Sequence, residues 1–203
     1  MRKVASKEPL LIVGAGGHAH SCADVIEAEG RFEIIGFVDI ADIRASTLAY
    51  PLLGGDEDLK SLLKLAKFAF LGIGQIKSPE NRVRLYEKLK TLGYALPTII
   101  SPLAYVSTTA KIEPEATIIM HHALINAGAS VGKACIINTK ALVEHGARVG
   151  DFCHISTAAV VNGDCVVGER SFIASNTALR HTQVVPPRSI VYHKSTIIKG
   201  ENE

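Results

Sequence analysis

The run SVGKACIINTKALVEHGARVGDFCHISTAAVVNGDCVVGERSFIAS, residues 130–175, decides the architecture of the chain. Counting every sixth residue from Val131 gives Val131, Ile137, Val143, Val149, Ile155, Val161, Val167, Ile173, Leu179, Val185, Val191 and Ile197, all of them aliphatic. About a quarter of the residues of an ordinary chain are Val, Ile or Leu, so an unbroken series of this length is not accidental. Two positions earlier the side chain is usually small: Ala129, Cys135, Ala141, Ala147, Cys153, Ala159, Cys165 and Ser171. Gly132, Gly150 and Gly168 recur at three times the period. A six-residue period with a small and an aliphatic side chain both turned inward predicts a parallel β-helix of hexapeptide repeats. Each hexapeptide supplies a short strand and a turn, and three make one triangular coil with the glycine at a corner. Coils then stack at the strand spacing of about 4.8 Å, with roughly five of them between Val106 and Ile197. Backwards from Val131 the register continues through Leu124, Ile118, Ile112 and Val106, with Ala116, Ala110 and Ala104 in the small slot. One inserted residue is placed between Leu124 and Val131. Cys135, Cys153 and Cys165 fall in the small inward slot and are read as packing residues, as is Cys22 on the first helix.

Upstream the period changes. PLLIVGAG (9–16), EIIGFVD (33–39), FAFLGIG (68–74) and ALPTIIS (95–101) read as strands. Between them, His18–Glu29, DEDLKSLLKLAK (56–67) and SPENRVRLYEKLKTLG (78–93) read as helices, the last with Ser78 as N-cap and Pro79 at its first position. Strands alternating with helices imply an α/β, Rossmann-like domain with a mostly parallel sheet. The organisation expected is therefore this domain over 1–102 and the β-helix over 103–203.

Composition narrows the function. At 47% hydrophobic and 21% charged residues the 203-residue chain buries a real core. A net charge of +2 without a dense Lys/Arg block argues against a nucleic-acid binder. No apolar run approaches the length of a membrane span, and the start leads straight into a strand, so neither a membrane anchor nor a signal peptide is expected. Four cysteines without a CxxC pair fit a reducing cytoplasm and no metal site.

Gly14-Ala15-Gly16-Gly17-His18-Ala19 follows a strand and opens a helix, the setting of a phosphate-binding turn. The spacing also fits G-x-G-x-x-A, with Asp39 at the end of the second strand where a ribose-binding acid would stand. A nicotinamide oxidoreductase is thus an alternative, opposed by the absence of room for a second βαβαβ half. Gly72-Ile73-Gly74 would face the same crevice. Of eight histidines, His121, His122, His145, His154, His181 and His193 lie in the repeat region. His145, beside Glu144 and before Gly146 at a turn, is the candidate general base, because an imidazole is partly neutral near pH 7.

The runs 137–146 (INTKALVEHG) and 149–156 (VGDFCHIS), together with LLIVGAGGHA, IIGFVD and FLGIGQ, resemble bacterial sugar acetyltransferases. The group comprises sialic acid O-acetyltransferases and UDP-4-amino-sugar N-acetyltransferases. The resemblance implies a homotrimer of left-handed β-helices with acetyl-CoA as co-substrate lying between neighbours. It implies a nucleotide-sugar held at Gly16, Gly17, His18, Asp39 and Gly74. His145 matches the family's base, with Glu144 and Asn138 beside it in the catalytic group. Asn138 and His154 match residues near the acetyl group, and His154 and Ser175 are taken for the cofactor side. The reaction implied is direct acetyl transfer to the amine of a nucleotide-linked 4-amino sugar. O-acetylation of a sialic-acid-type sugar is the alternative, as is a non-catalytic nucleotide-sugar-binding partner in sugar biosynthesis.

Two departures stand out. Some family members carry an acid directly after the catalytic histidine, where this chain has Gly146; the O-acetyltransferase branch also carries Gly there. The usual small-residue tail that contacts coenzyme A is replaced by Ser189-Ile190-Val191-Tyr192-His193-Lys194-Ser195, bulky at Tyr192 and His193.

Overall fold

The computed structural model describes residues 7–39, 50–192 and 196–199. His193, at the bulky end of the chain, lies outside the described residues. The chain forms two compact units, one ending at Ile73 but including Leu85–Pro97, the other made of Gly74–Arg84 and the residues from Thr98 onward.

In the first unit, β1 (Glu8–Val13), β2 (Phe32–Val38) and β3 (Phe68–Leu71) form a parallel sheet in the order β2-β1-β3. Leu10, Leu11 and Ile12 of β1 are wholly buried, as a central strand covered on both faces requires. Helix α1 (Gly17–Glu29) connects β1 to β2 and ends at Gly30, whose φ of 85° supplies the left-handed cap. The helix read over 56–67 is only one turn, α2 (Leu59–Leu62), flanked by turns. Helix α3 (Glu80–Leu92) begins as expected, with the Ser78 hydroxyl accepting the N–H of Glu80 at 3.2 Å. The strand read over 95–101 is divided. Ala95 makes a lone bridge to Phe68, whereas Ile99–Ile100 pairs with Ile118–Ile119 and is the first rung of the β-helix. Pro97, between the two, donates no hydrogen bond and ends the pairing.

The second unit is a left-handed parallel β-helix of about five coils. Its first face stacks Ile99–Ile100, Ile118–Ile119, Ile136–Ile137, His154–Ile155, Phe172–Ile173 and Ser189–Tyr192, with Thr196–Lys199 added antiparallel at the end. The second face stacks Tyr105–Val106, Leu124–Ile125, Leu142–Val143, Val160–Val161 and Ala178–Leu179. The third stacks Lys111–Ile112, Ser130–Val131, Arg148–Val149, Val166–Val167 and Val184–Val185. The second residue of each two-residue rung points inward, as does Val191 of Ser189–Tyr192, and from Val131 to Val191 the inward residues are those of the six-residue count, each at most 3% exposed. Upstream the count needs correction: the inward residues are Ile119 and Ile125, not Ile118 and Leu124. The extra residue therefore sits between Ile112 and Ile119, and Thr117 and Ala123 take the small slot. Ile118 and Ile119 are both isoleucine and both fully buried, Ile118 on the outer side of the first face and Ile119 in the core.

Every sixth residue from Ala116 to Arg188 has a φ of 53–68°, including eleven non-glycine residues as well as Gly128 and Gly146. These are the corner residues. Along the two edges bounding the second face, the turn closes by an N–H to C=O bond across four residues, as from Ala141 to Asn138 and from Ala147 to Glu144. A positive φ at the third residue is what a type II turn demands. The edge between the third and first faces is built differently. There the carbonyls of Gly132, Gly150 and Gly168 accept hydrogen bonds from Thr117 Oγ1, Cys135 Sγ and Cys153 Sγ of the preceding coil. Burial pushes the Cys135 thiol up to about 12 and raises that of Cys153 well above its ordinary value, so both stay protonated donors. These cysteines pack as expected, and they also satisfy a backbone acceptor.

Among the described residues no helix is long and apolar enough to cross a membrane. The recurrent glycines owe their place to coil spacing: a Cβ on Gly150 would lie 2.7 Å from the nitrogen and 3.0 Å from the Cα of Glu169 in the next coil. Backbone cannot swing aside as a side chain can, so Gly150→Ala should cost about 1–3 kcal/mol, read as a lowered midpoint in urea with an unchanged slope.

Candidate active site

The edge between the second and third faces carries His145. Its position, two beyond the inward Val143, repeats at Ala127, Gly163 and His181, so these residues stand in one column. His145 and His181 are exposed, with ring centroids 6.1 Å apart, and Gly163 lies between them. A Cβ on Gly163 would fall 2.6 Å from Cε1 and 2.7 Å from Nε2 of His145, and 3.0 Å from Nδ1 of His181. The missing side chain is what lets the two imidazoles face each other across a coil. Asp164 lies 3.9 Å from His181 Nε2, and its Oδ1 would stand 2.2 Å from a Cβ on Gly146. The space beside Gly146 is thus filled by a carboxylate from the following coil.

Glu144 does not touch the imidazole. Its Oε2 accepts the backbone N–H of His145 at 2.9 Å and the side-chain N–H of Asn126 at 2.9 Å. The His145 backbone N–H, the Asn126 amide and the nearby imidazole hold its carboxyl below the ordinary value. The carboxylate braces the turn that presents His145. Asp164, His181, Gly163 and Asn126 were not singled out from the sequence as site residues. The signal that finds them is the 18-residue stride applied outward from His145 rather than to the core.

Asn138, His154 and Ser175 do not join this group. Asn138 and Ser175 stand on the edge between the first and second faces, where Ser175 Oγ meets Ser156 Oγ at 2.9 Å. His154 projects from the outer side of the first face, 5% exposed, against the ring of Phe172. Its Nδ1 is 2.6 Å from the Gln75 carbonyl and its Nε2 is 3.2 Å from Asn138 Nδ2. Burial pulls its pKa down to about 4, so the ring is neutral near pH 7. Over it runs the strap Gly74–Arg84. Arg82 Nη2 donates to the Ala116 carbonyl, Arg82 Nε to that of Ala134, and Gln75 Nε2 to that of Phe152. These carbonyls belong to left-handed corner residues of three successive coils.

In the first unit, Gly14 requires its glycine: φ is 103°, and a Cβ would lie 2.6 Å from Ile73 Cγ2 and 3.1 Å from the Gly72 carbonyl carbon. Gly16 caps α1 without a side chain, and a Cβ on Gly16 or Gly17 would meet nothing within 4 Å. The loop thus presents open backbone at a helix N-terminus, with Gly16 and Gly17 exposed. It lies between the C-terminal ends of β1 and β3, where a 2-1-3 strand order leaves a crevice. Asp39 Oδ2 accepts the N–H of Ala15 at 2.7 Å, holding the loop. His18 Nε2 is 3.4 Å from Cys22 Sγ. Gly74 is exposed and begins the second unit.

Residues 9–89 match the PglD N-terminal domain family. The acetyltransferase domain of PglB from Neisseria gonorrhoeae FA1090, solved with acetyl coenzyme A, is 29% identical at a TM-score of 0.83, over 92% of this chain and 88% of that one. PerB from Caulobacter crescentus, solved with CoA and GDP-perosamine, is 27% identical at a TM-score of 0.79, over 95% and 98%. WeeI from Acinetobacter baumannii AYE, 16% identical at a TM-score of 0.76 over 95% and 100%, shares the fold. With a first unit that matches the PglD N-terminal domain family and a likeness to the PglB and PerB structures over more than nine-tenths of its length, the chain resembles the hexapeptide-repeat sugar acetyltransferases.

Proposed function

We propose that this chain transfers an acetyl group from acetyl-CoA to the amine of a nucleotide-linked 4-amino sugar, with His145 as general base. The observation that carries the reading is the exposed imidazole of His145 on the β-helix edge, with its Nε2 edge over Gly163. Its ring makes no hydrogen bond or ion pair to any described residue, which leaves both nitrogens for chemistry. As the sugar nitrogen attacks the thioester carbonyl carbon, the new C–N bond forms and the carbonyl oxygen becomes an oxyanion. His145 takes the proton released from nitrogen. Collapse of the intermediate breaks the C–S bond, and the imidazolium returns that proton to the coenzyme A sulfur. No acyl-enzyme is needed. That PglB was solved with acetyl-CoA and PerB with CoA and GDP-perosamine supports this choice of donor and acceptor. The glycine loop, through Gly16, Gly17 and His18, would hold the nucleotide-sugar phosphates, with Asp39 fixing the loop by its bond to Ala15.

The active form in this reading is a homotrimer. The outer side of the second face is apolar throughout: Tyr105, Leu124, Leu142, Val160 and Ala178, with Tyr105 60% exposed. The third face alternates Lys111, Ser130 and Arg148 with Val166 and Val184. Packing the apolar face around a threefold axis closes a ring. It sets the His145 edge of one copy against the Asn138 and Ser175 edge of the next. That accounts for site residues standing on two edges of a single prism, and it puts acetyl-CoA between neighbouring prisms.

Thiol release from acetyl-CoA, measured against a panel of nucleotide-linked 4-amino sugars, tests the reaction; no release with any of them would overturn it, and release with a sialic-acid-type sugar alone would move the acetyl group to oxygen. His145→Ala should lower kcat by at least 100-fold with an unchanged thermal midpoint. Activity near wild type would remove His145 from the role of base. Gly163→Ala pushes only the movable tip of the ring, so it should cost about 10- to 100-fold in kcat while leaving stability within about 1 kcal/mol. Gly17→Leu should weaken nucleotide-sugar binding by about tenfold or more without unfolding the first unit, as followed by calorimetry and circular dichroism.

A further inference from the structure

An amine acceptor brings one proton more than His145 can handle in the transfer itself. An aliphatic amine with the basicity of an α-amino group or of lysine is mostly ammonium at pH 7. Its nitrogen must lose one proton to free the lone pair and a second as the C–N bond forms. Only one of these returns, to the coenzyme A sulfur. The other must leave His145 for solvent before attack begins. The column on which His145 stands offers the way out. His145 Nε2 and His181 Nδ1 are turned to one space, 2.7 and 3.0 Å from the point that a Cβ on Gly163 would occupy. Glycine leaves that space open, and one water there can bond both nitrogens. The other ring nitrogen of His181, Nε2, lies 3.9 Å from Asp164 Oδ2. The side chains of His181 and Asp164 are 61% and 55% exposed, and the turn Arg180–Gln183 lines an open hollow of about 320 Å³. Of the other charged groups on these turns, Glu144 is engaged by the His145 N–H and Asn126, and Arg180 precedes His181.

The geometry points to His181, backed by Asp164, as a proton relay that clears His145 of the ammonium proton before each attack. His145 Nε2 takes that proton and passes it through the bridging water to His181 Nδ1. His181 gives up the proton on Nε2 to solvent beside Asp164, whose carboxylate stabilises the imidazolium between the two transfers. Exchange with solvent at the exposed ring then resets its tautomer. His145, neutral again, takes the second proton as the C–N bond forms and returns it to sulfur. The balance closes: ammonium and acetyl-CoA give amide, thiol and one proton in solution. His181 acts through His145 and touches neither substrate, so it is a positioning residue for the proton. The inference rests on the acetyl-transfer reading with an amine acceptor, since a hydroxyl carries no such extra proton.

The test compares the full-length protein with His181→Asn, Asp164→Asn and His145→Ala, for kcat and for KM of acetyl-CoA, across the pH range in which the free acceptor amine titrates. His181→Asn should lower kcat about tenfold at pH 7 with KM for acetyl-CoA unchanged. That loss should fade as pH rises and the amine arrives already neutral, and imidazole added to the buffer should restore the rate at pH 7. Asp164→Asn should show a smaller loss with the same pH dependence. His145→Ala, which removes the base itself, should be impaired at every pH. A His181→Asn loss that is the same at all pH values, that imidazole does not relieve, or that is confined to KM for acetyl-CoA would show a structural role or a cofactor contact and sink the relay. So would a full rate at pH 7. Both variants change exposed side chains, and an unchanged thermal midpoint confirms that each is folded. Activity in the unaltered chain with a full-rate His181→Asn ends the relay alone; an unaltered chain inert toward every amino sugar ends the acetyl-transfer reading and the relay together.

Discussion

Coil-on-coil hydrogen bonding at an 18-residue stride is the constraint on which the second unit depends. Each rung donates its N–H to the carbonyl of the next coil at 2.8–3.0 Å, as from Ile118 to Cys135, Ile136 to Cys153 and His154 to Ser171. For the ladder to continue, the corners of successive coils must match, and from Ala116 to Arg188 every sixth residue takes the left-handed region whatever its identity. Phe152, Arg170 and Thr182 do so at a cost of about 1 kcal/mol each. The interior is filled by one aliphatic and one small side chain per rung, and the ladders and that core offset the strain. The same spacing leaves no room for a Cβ at Gly150 or Gly168.

A prism built this way has three faces and three edges, and the chain uses them differently. The first face is covered by the strap Gly74–Arg84 on the outer side of Ile136, His154 and Phe172. The outer side of the second face is apolar, with Tyr105 and Ala178 exposed at its two ends. The edges on either side of that second face carry the polar side chains of the candidate site, and the remaining edge carries glycines and side-chain donors that knit the coils together. A stacked scaffold is rigid because each residue is held by the coils above and below it. That suits side chains whose separation must be kept.

Three histidines show how environment sets role. His145 stands exposed over Gly163, braced only through its backbone by Glu144. His181, one stride further and beside Asp164, shares its column. His154 is buried and neutral, both ring nitrogens engaged. By residue type they are the same. What separates them is the position in the hexapeptide: the residue two beyond the inward aliphatic sits on an edge, and the residue before the inward aliphatic lies on a face.

The sequence by itself determined the β-helix, its register from Val131 to Val191 and the position of His145 at a turn, because a period of six is a local property that repeats. It determined the glycine loop for the same reason, since a tight turn between strand and helix is written in consecutive residues. It misplaced the inserted residue, because Ile118 and Ile119 are both buried and hydrophobicity alone cannot tell which side of a rung faces inward. Only the tertiary structure decided that Glu144 binds Asn126 and a backbone N–H, that Asp164 fills the place beside Gly146, and that the backbone carbonyl of Gln75, 79 residues before His154, meets its ring. Those partners come from other coils and from a strap laid across them. Hydrogen bonds across such separations depend on where the stacked backbone brings the atoms, which no local pattern records.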